Sequence, residues 1–248
     1  VEYSQLTPAS PQANRQFFYK VLSALLFMLA LVQLITAVVS FGLQDKVFWQ
    51  FLISAIITAL AAAILQGKSG PAAQIKKRYL FLLTILCWLL LCFFAAIPLY
   101  LSLPEISLTD AWFETVSAVT TTGSTVLSNL EQLPRGVLFW RAILQWIGGI
   151  GIIVMAIAIL PVLKIGGMKL FKTENSDISE KILPRSSSLS SSILLVYLLL
   201  SMLAMGSYYL GGMSGFDAVT HGMTSVATGG LTLCALCRGA AGRSLDLN

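Results

Sequence analysis

No Asp, Glu, Lys, Arg or His falls between Lys20 and Asp45, Lys46 and Lys68, Arg78 and Glu105, Arg141 and Lys164, or Arg185 and Asp217. Each stretch reaches or exceeds the roughly 20 residues that a helix needs to cross a bilayer. A water-soluble helix bundle is the alternative, and it requires polar faces that these stretches lack. The expected class is therefore an all-α integral membrane protein with five spans. Composition agrees, because 11% of the residues are charged and 56% are hydrophobic, whereas soluble domains carry roughly a quarter charged residues. The net charge of +5 invites a nucleic-acid reading. The basic residues lie between apolar runs rather than on one amphipathic face, so no nucleic acid is expected and the lipid bilayer is the required partner. The first run is too long for a signal-peptide core and leads into no small-residue cleavage site before a soluble domain, so it is read as a retained span.

Residues 1–16, with Pro8 and Pro11, read as a polar tail. Spans near 17–43 and 47–66 are joined by Gln44, Asp45 and Lys46, which predicts an antiparallel helical hairpin. Gly67, Lys68, Ser69, Gly70 and Pro71 then break the chain. Basic residues set the orientation. Arg15 and Lys20 place the N-terminus in the cytoplasm, as do Lys68, Lys76, Lys77 and Arg78 for the second loop. Lys164, Lys169, Lys172, Lys181 and Arg185 do the same for the loop after the fourth span. The loop carrying Glu105, Asp110, Glu114 and Glu131 against Arg135 faces outward. Ser186–Ser192 read as a cap or linker before a helix opening at Ile193.

Two segments do not fit plain spans. Residues 108–126 read LTDAWFETVSAVTTTGSTV. Thr109 and Asp110 look like a helix start, apolar residues follow at helical spacing, and the pattern breaks at Thr120, Thr121, Thr122 and Gly123. The helical part is too short to span. A short helix followed by irregular chain between two spans predicts a re-entrant loop, tolerated only where protein buries it or it lines a watery cavity. Residues 216–230, FDAVTHGMTSVATGG, repeat the pattern. Asp110-Ala111 matches Asp217-Ala218, and Thr122-Gly123 matches Thr228-Gly229 with one residue of slippage, a repeat of about 100 residues.

Such loops suit a bare monovalent cation. Backbone carbonyls replace its water shell, Gly accepts the positive φ that turns them inward, and Thr adds oxygen without fixed charge. The short helix aims its negative dipole end at the cavity. Asp110, Glu114 and Glu131 either concentrate cations at the mouth or simply solvate the loop. Gly148, Gly149 and Gly151 suit close helix packing, with a hinge near Pro161 as the sharper reading. Arg141 is placed at the outer interface, snorkelling or paired with an acid such as Glu114. His221 reads as a packing residue of the second short helix. The lone C-x-x-C of Cys234 and Cys237 lacks two further ligands, so no transition-metal site is expected. No spanning run carries an acid and the one His has no second ligand, so an enzyme is not expected.

The stretch VTTTGSTVL, followed by LPRGVLFWRAILQWIGGIGIIVMAIAILPVL and GGMKLF, resembles the Trk/Ktr superfamily of potassium transporters. FDAVTHGMTSVATGG is similar to a second filter region of that family, and the hairpin at 17–66 favours the TrkH/TrkG branch. The resemblance covers roughly residues 17–231. It implies potassium-channel-like repeats of membrane helix, pore helix and membrane helix around one pore. It divides the chain into a tail and hairpin (1–75), a first repeat (76–172), a partial second repeat (173–231) and a divergent tail (232–248). Carried over, the potassium-binding filter would be Thr121, Thr122, Gly123 and Ser124 with Ala227, Thr228, Gly229 and Gly230. The implied function is low-specificity potassium uptake, by channel or symport, with the potassium ion bound at those residues. The implied setting is the bacterial inner membrane, multi-pass, as a homodimer with a cytoplasmic nucleotide-binding regulatory subunit. Residues 233–248, LCALCRGAAGRSLDLN, match nothing in the family. The chain thus reads as a C-terminally truncated front half, and the alternative function is a non-conducting fragment that only interacts with full-length relatives.

Overall fold

The computed structural model describes residues 11–70, 77–128, 130–163 and 186–229. All regular structure among them is helical: α1 (Pro11–Gly42), α2 (Phe48–Gly67), α3 (Lys77–Ser102), α4 (Leu108–Val119), a 3-10 turn (Leu130–Gln132), α5 (Arg135–Leu163), α6 (Ser186–Leu210) and α7 (Gly215–Val226). Five of these are long and apolar enough to cross a membrane, over Asn14–Gly42, Phe48–Gly67, Phe81–Ser102, Arg135–Ile153 and Ser192–Leu210. α4 and α7 have 12 residues each and do not qualify. Two boundaries differ from the sequence reading. The first helix opens at Pro11 rather than near residue 17, because Pro is pre-organised for the first helical turn, where its missing N–H has no partner to lose. α6 already includes Ser186–Ser192.

The described residues group into two compact units, one drawn from 1–115 and 133–140, the other from 116–132 and 141–248. In the first, α1 and α2 form the hairpin, and the turn passes through Gln44 at φ 55°. Small and hydroxylic residues, among them Ala37, Ser40, Ser54, Thr58 and Ala62, are fully or almost fully buried. They permit the close backbone approach that holds helices together in lipid. Thr36 and Thr58 satisfy their hydroxyls on the carbonyls of Val32 and Ser54.

Pro98 lies inside α3 and donates no N–H to the carbonyl of Phe94, four residues earlier. Gln33 of α1 repairs that loss: its Nε2 donates to the Phe94 carbonyl at 3.1 Å. Trp140 Nε1 donates to the next carbonyl, Ala95, at 3.1 Å, and its ring meets Phe51 edge-on at 5.6 Å. The Gly136 amide donates to Asp45 at 2.8 Å, tying the start of α5 to the hairpin turn. Leu31, Val38, Phe41, Leu60 and Ile64 are more than half exposed. An apolar surface of that kind on successive helix turns is suited to lipid rather than water.

The second unit contains α6, α7 and most of α5. Trp146 Nε1 donates to Ser201 Oγ at 2.9 Å, and the Tyr197 hydroxyl donates to the Trp146 carbonyl at 3.0 Å. Tyr208 and Ser225 share a hydroxyl bond of 2.8 Å. The outer face of α6, with Leu195, Met202 and Leu203, is again mostly exposed.

Candidate ion-binding loops

The two short helices begin identically. Ser107 Oγ accepts the Asp110 amide at 3.1 Å and donates to the Asp110 carboxylate at 2.7 Å. Ser214 does the same for Asp217, at 3.2 and 2.8 Å. Each is a Ser-x-x-Asp version of the capping box. The start of α4 is therefore capped by Ser107, and Thr109 stands inside the first turn. The caps stand 107 residues apart, and the offset is the same for Asp110 and Asp217.

The helices also end identically. Thr121 N donates to the Ala118 carbonyl and Thr122 N to the Ser117 carbonyl, both at 3.0 Å. Thr228 N donates to Ser225 at 3.0 Å and Gly229 N to Thr224 at 3.2 Å. This is the Schellman pairing, which needs a left-handed residue just past the helix. Here that residue is Thr121 (φ 56°) and Thr228 (φ 58°). A β-branched residue rarely takes this conformation. The offset of 107 holds as far as Gly229, which matches Thr122. The one-residue slippage inferred from sequence disappears.

Gly123 has φ 82°, as a turning glycine should. Gly229 does not carry a positive φ; that conformation falls on Thr228. What demands glycine at 229 is space, because a Cβ there would run into the side chain of Gln145. A Cβ on Gly123 would run into the Gly229 carbonyl, so the two loops abut. α5 backs them closely. A Cβ on Gly148 would strike the Val119 carbonyl, and one on Gly149 would lie 2.8 Å from the Tyr197 hydroxyl and 3.4 Å from Ala227. Gly148 and Gly149 thus act in packing, and α5 runs on past Pro161 to Leu163.

Of the eight predicted filter residues, seven are described, and Gly230 lies outside the described residues, as do Cys234 and Cys237. Thr121, Thr122, Gly123 and Ser124 follow α4 after one intervening residue, Thr120. Ala227 is the C-cap of α7, in right-handed backbone, ahead of Thr228 and Gly229. Ser124's carbonyl accepts from Ser117 Oγ at 2.5 Å, which anchors the first loop to its helix. Thr120 and Thr122 pair through their hydroxyls at 2.8 Å, and Thr228 Oγ1 donates to the Ala227 carbonyl at 2.7 Å.

Glu114 and Arg141 are more deeply buried than the sequence reading places them. Glu114 is fully buried rather than solvated at a mouth, and Asp110 is engaged by its cap. Arg141 does not snorkel: it is fully buried, and its Nη2 donates to Thr125 Oγ1 at 3.0 Å. His221 is buried as a packing residue, its Nδ1 donating to the Asp217 carbonyl at 2.8 Å and its ring meeting Tyr208 edge-on at 6.0 Å. Glu114 and His221 occupy the same position in their helices. Gln145, fully buried against Gly229, escaped the sequence reading. Its signal was a lone amide in an uncharged span.

Residues 43–235 match the family described as TrkH, cation transport protein. The chain is 55% identical over 157 residues to the Trk system potassium uptake protein TrkI of Halomonas elongata, covering 63% of this chain and 32% of that protein. It is 40% identical over 162 residues to the Trk system potassium uptake protein TrkH of Escherichia coli K12, covering 64% and 34%. The crystal structure of the potassium transporter TrkH from Vibrio parahaemolyticus is similar, with a TM-score of 0.73 and 32% identity over 87% of this chain and 42% of that one. The chain therefore spans well under half the length of each of these relatives.

Proposed function

Because this chain belongs to the TrkH family of cation transport proteins, we propose that it is a membrane subunit of a potassium-uptake system and that its two Thr/Gly loops strip and hold the ion. The observation that carries this reading is the repeated loop geometry, with left-handed Thr121 and Thr228 directing the chain away from each short helix. A left-handed residue reverses the carbonyl direction after a helix end, as a loop that presents carbonyls to one ion requires. Thr121, Thr122, Gly123 and Ser124 form the first coordinating set, and Thr228, Gly229 and Gly230 the second, with Ala227 at the cap. Potassium is cargo in this reading, not a resident cofactor.

The reading extends to organisation. Residues 1–75 are the tail and hairpin, 76–172 one repeat, 173–231 part of the next, and 232–248 a separate tail. The protein is multi-pass in a bacterial inner membrane, with the N-terminus and residues 164–185 on the cytoplasmic side. Basic loops there suit a cytoplasmic nucleotide-binding regulator, and a homodimer is the assembly proposed. The test is rubidium uptake by cells that lack other potassium uptake, expressing the protein from its native locus. Wild-type uptake, lost or made sodium-permeable by Gly123→Ser at equal membrane insertion, supports the reading. Uptake and ion preference that ignore Gly123→Ser overturn the loop assignment.

A further inference from the structure

On α5, Arg141, Gln145, Gly148 and Gly149 are spaced by four, three and one residues, so they share one helix face. This face meets both loops. Arg141 donates to Thr125 beyond the first loop. Gly148 admits the Val119 carbonyl at the end of α4, and Gly149 admits Ala227 at the end of α7. Gln145 stands between them, its carboxamide occupying the space a Gly229 side chain would need. Gln145 is fully buried, and neither its Oε1 nor its Nε2 has a hydrogen-bond partner among the described residues.

A buried amide with no partner costs more than an apolar side chain of the same shape. A leucine would fill that volume without this penalty, so filling space does not account for a glutamine. We infer that Gln145 is a specificity-determining positioning residue, whose carboxamide backs the second loop at Gly229 and limits how far its carbonyls can retreat from a bound cation. The inference rests on the potassium-uptake reading and deepens it. Potassium and sodium differ in size, so a loop free to shift accommodates both. A loop pressed from behind by a polar group that can engage its backbone holds one cavity size.

The test is rubidium and sodium flux into liposomes holding the purified wild-type protein and the variants Gln145→Ala, Gln145→Leu, Gly229→Ala and Gln145→Ala/Gly229→Ala. Gln145→Ala and Gln145→Leu are expected to cut the rubidium-to-sodium ratio by about tenfold, the change that a misplaced ring of ligands suffices to cause. Gly229→Ala should lose most flux, and adding Gln145→Ala should restore part of it by making room for the new methyl group. A wild-type ratio in Gln145→Leu would reduce the residue to a space-filler and overturn the proposal. So would strictly multiplicative effects of Gln145→Ala and Gly229→Ala, since residues in contact must couple. If variants fold poorly, the ratio in the surviving active fraction still reports, because a merely structural defect lowers both fluxes together. No cation flux in the wild type would sink the uptake reading and this inference together. Selective wild-type flux with insensitive Gln145 variants would sink this inference alone.

Discussion

Thr121 and Thr228 stand 107 residues apart and hold the same left-handed backbone, at φ 56° and 58°. Each donates its amide to a carbonyl three residues back, and the residue after each donates to one five residues back. Two short helices of unlike sequence are thus closed by one device. The device is strained, because left-handed backbone costs a residue with a Cβ roughly 1–2 kcal/mol. Strain of this kind collects at functional sites, where surrounding structure over-determines it.

Replacing Thr228 by Gly should therefore separate stability from selectivity. Thr228→Gly is expected to leave the thermal midpoint of the detergent-purified protein unchanged or to raise it, since strain worth on the order of 1 kcal/mol is relieved. The same change should lower potassium preference, because the freed loop explores more conformations. Thermal melts and ion flux on one preparation check both. A lowered midpoint with intact preference would mean that the left-handed turn is structural only.

The repair of α3 can be tested as a pair. Gln33→Leu removes the donor to the Phe94 carbonyl, and a buried acceptor left alone costs about 1–3 kcal/mol. Pro98→Ala gives the helix back its own N–H at that carbonyl. Gln33→Leu should lower the thermal midpoint clearly in the native background and much less alongside Pro98→Ala. An equal drop in both backgrounds would show that the hydrogen bond contributes little.

Orientation follows from the charges and is open to labelling. Lys68 and Glu105 are both exposed, just past α2 and α3. With the other cysteines replaced, a membrane-impermeant thiol reagent should label Glu105→Cys in intact cells and Lys68→Cys only after permeabilisation. The converse pattern would invert the topology proposed above.

The long helices were legible because an uncharged run of spanning length has one physical solution in lipid. The short helices were legible because an acid opens each, and Thr/Gly closes it. The finer geometry was not. Propensity assigns positive φ to Gly229, yet the Schellman bonds demand it one residue earlier, at Thr228. The apparent slippage came from matching the Thr-Gly dipeptides at 122–123 and 228–229, whereas the left-handed residues, Thr121 and Thr228, keep the constant offset. The burial of Glu114 and Arg141 was hidden for a different reason: a charge at the edge of an apolar run looks the same whether it meets water or protein. Gln145 was invisible because its importance lies in touching Gly229, 84 positions away along the chain.

The sharpest expectation concerns Gly123. Its φ of 82° disfavours any Cβ, and the direction of that Cβ runs into the Gly229 carbonyl. Gly123→Ala therefore acts twice, straining its own loop and pushing a carbonyl of the other. A tenfold loss of discrimination corresponds to only about 1.4 kcal/mol, and either effect is of that order. The control has to be chosen with the structure in mind. Thr125→Ala is a poor one, because Thr125 Oγ1 accepts a hydrogen bond from buried Arg141. Thr125→Ser keeps the acceptor and alters the same loop, so it should preserve ion preference, while Thr125→Ala should fall between Thr125→Ser and Gly123→Ala. Rubidium and sodium flux in liposomes, at matched protein levels, ranks the three. If Gly123→Ala inserts normally and keeps the wild-type preference, the contact between Gly123 and Gly229 does not set the ion site, and the coordinating loops must be sought elsewhere in the chain.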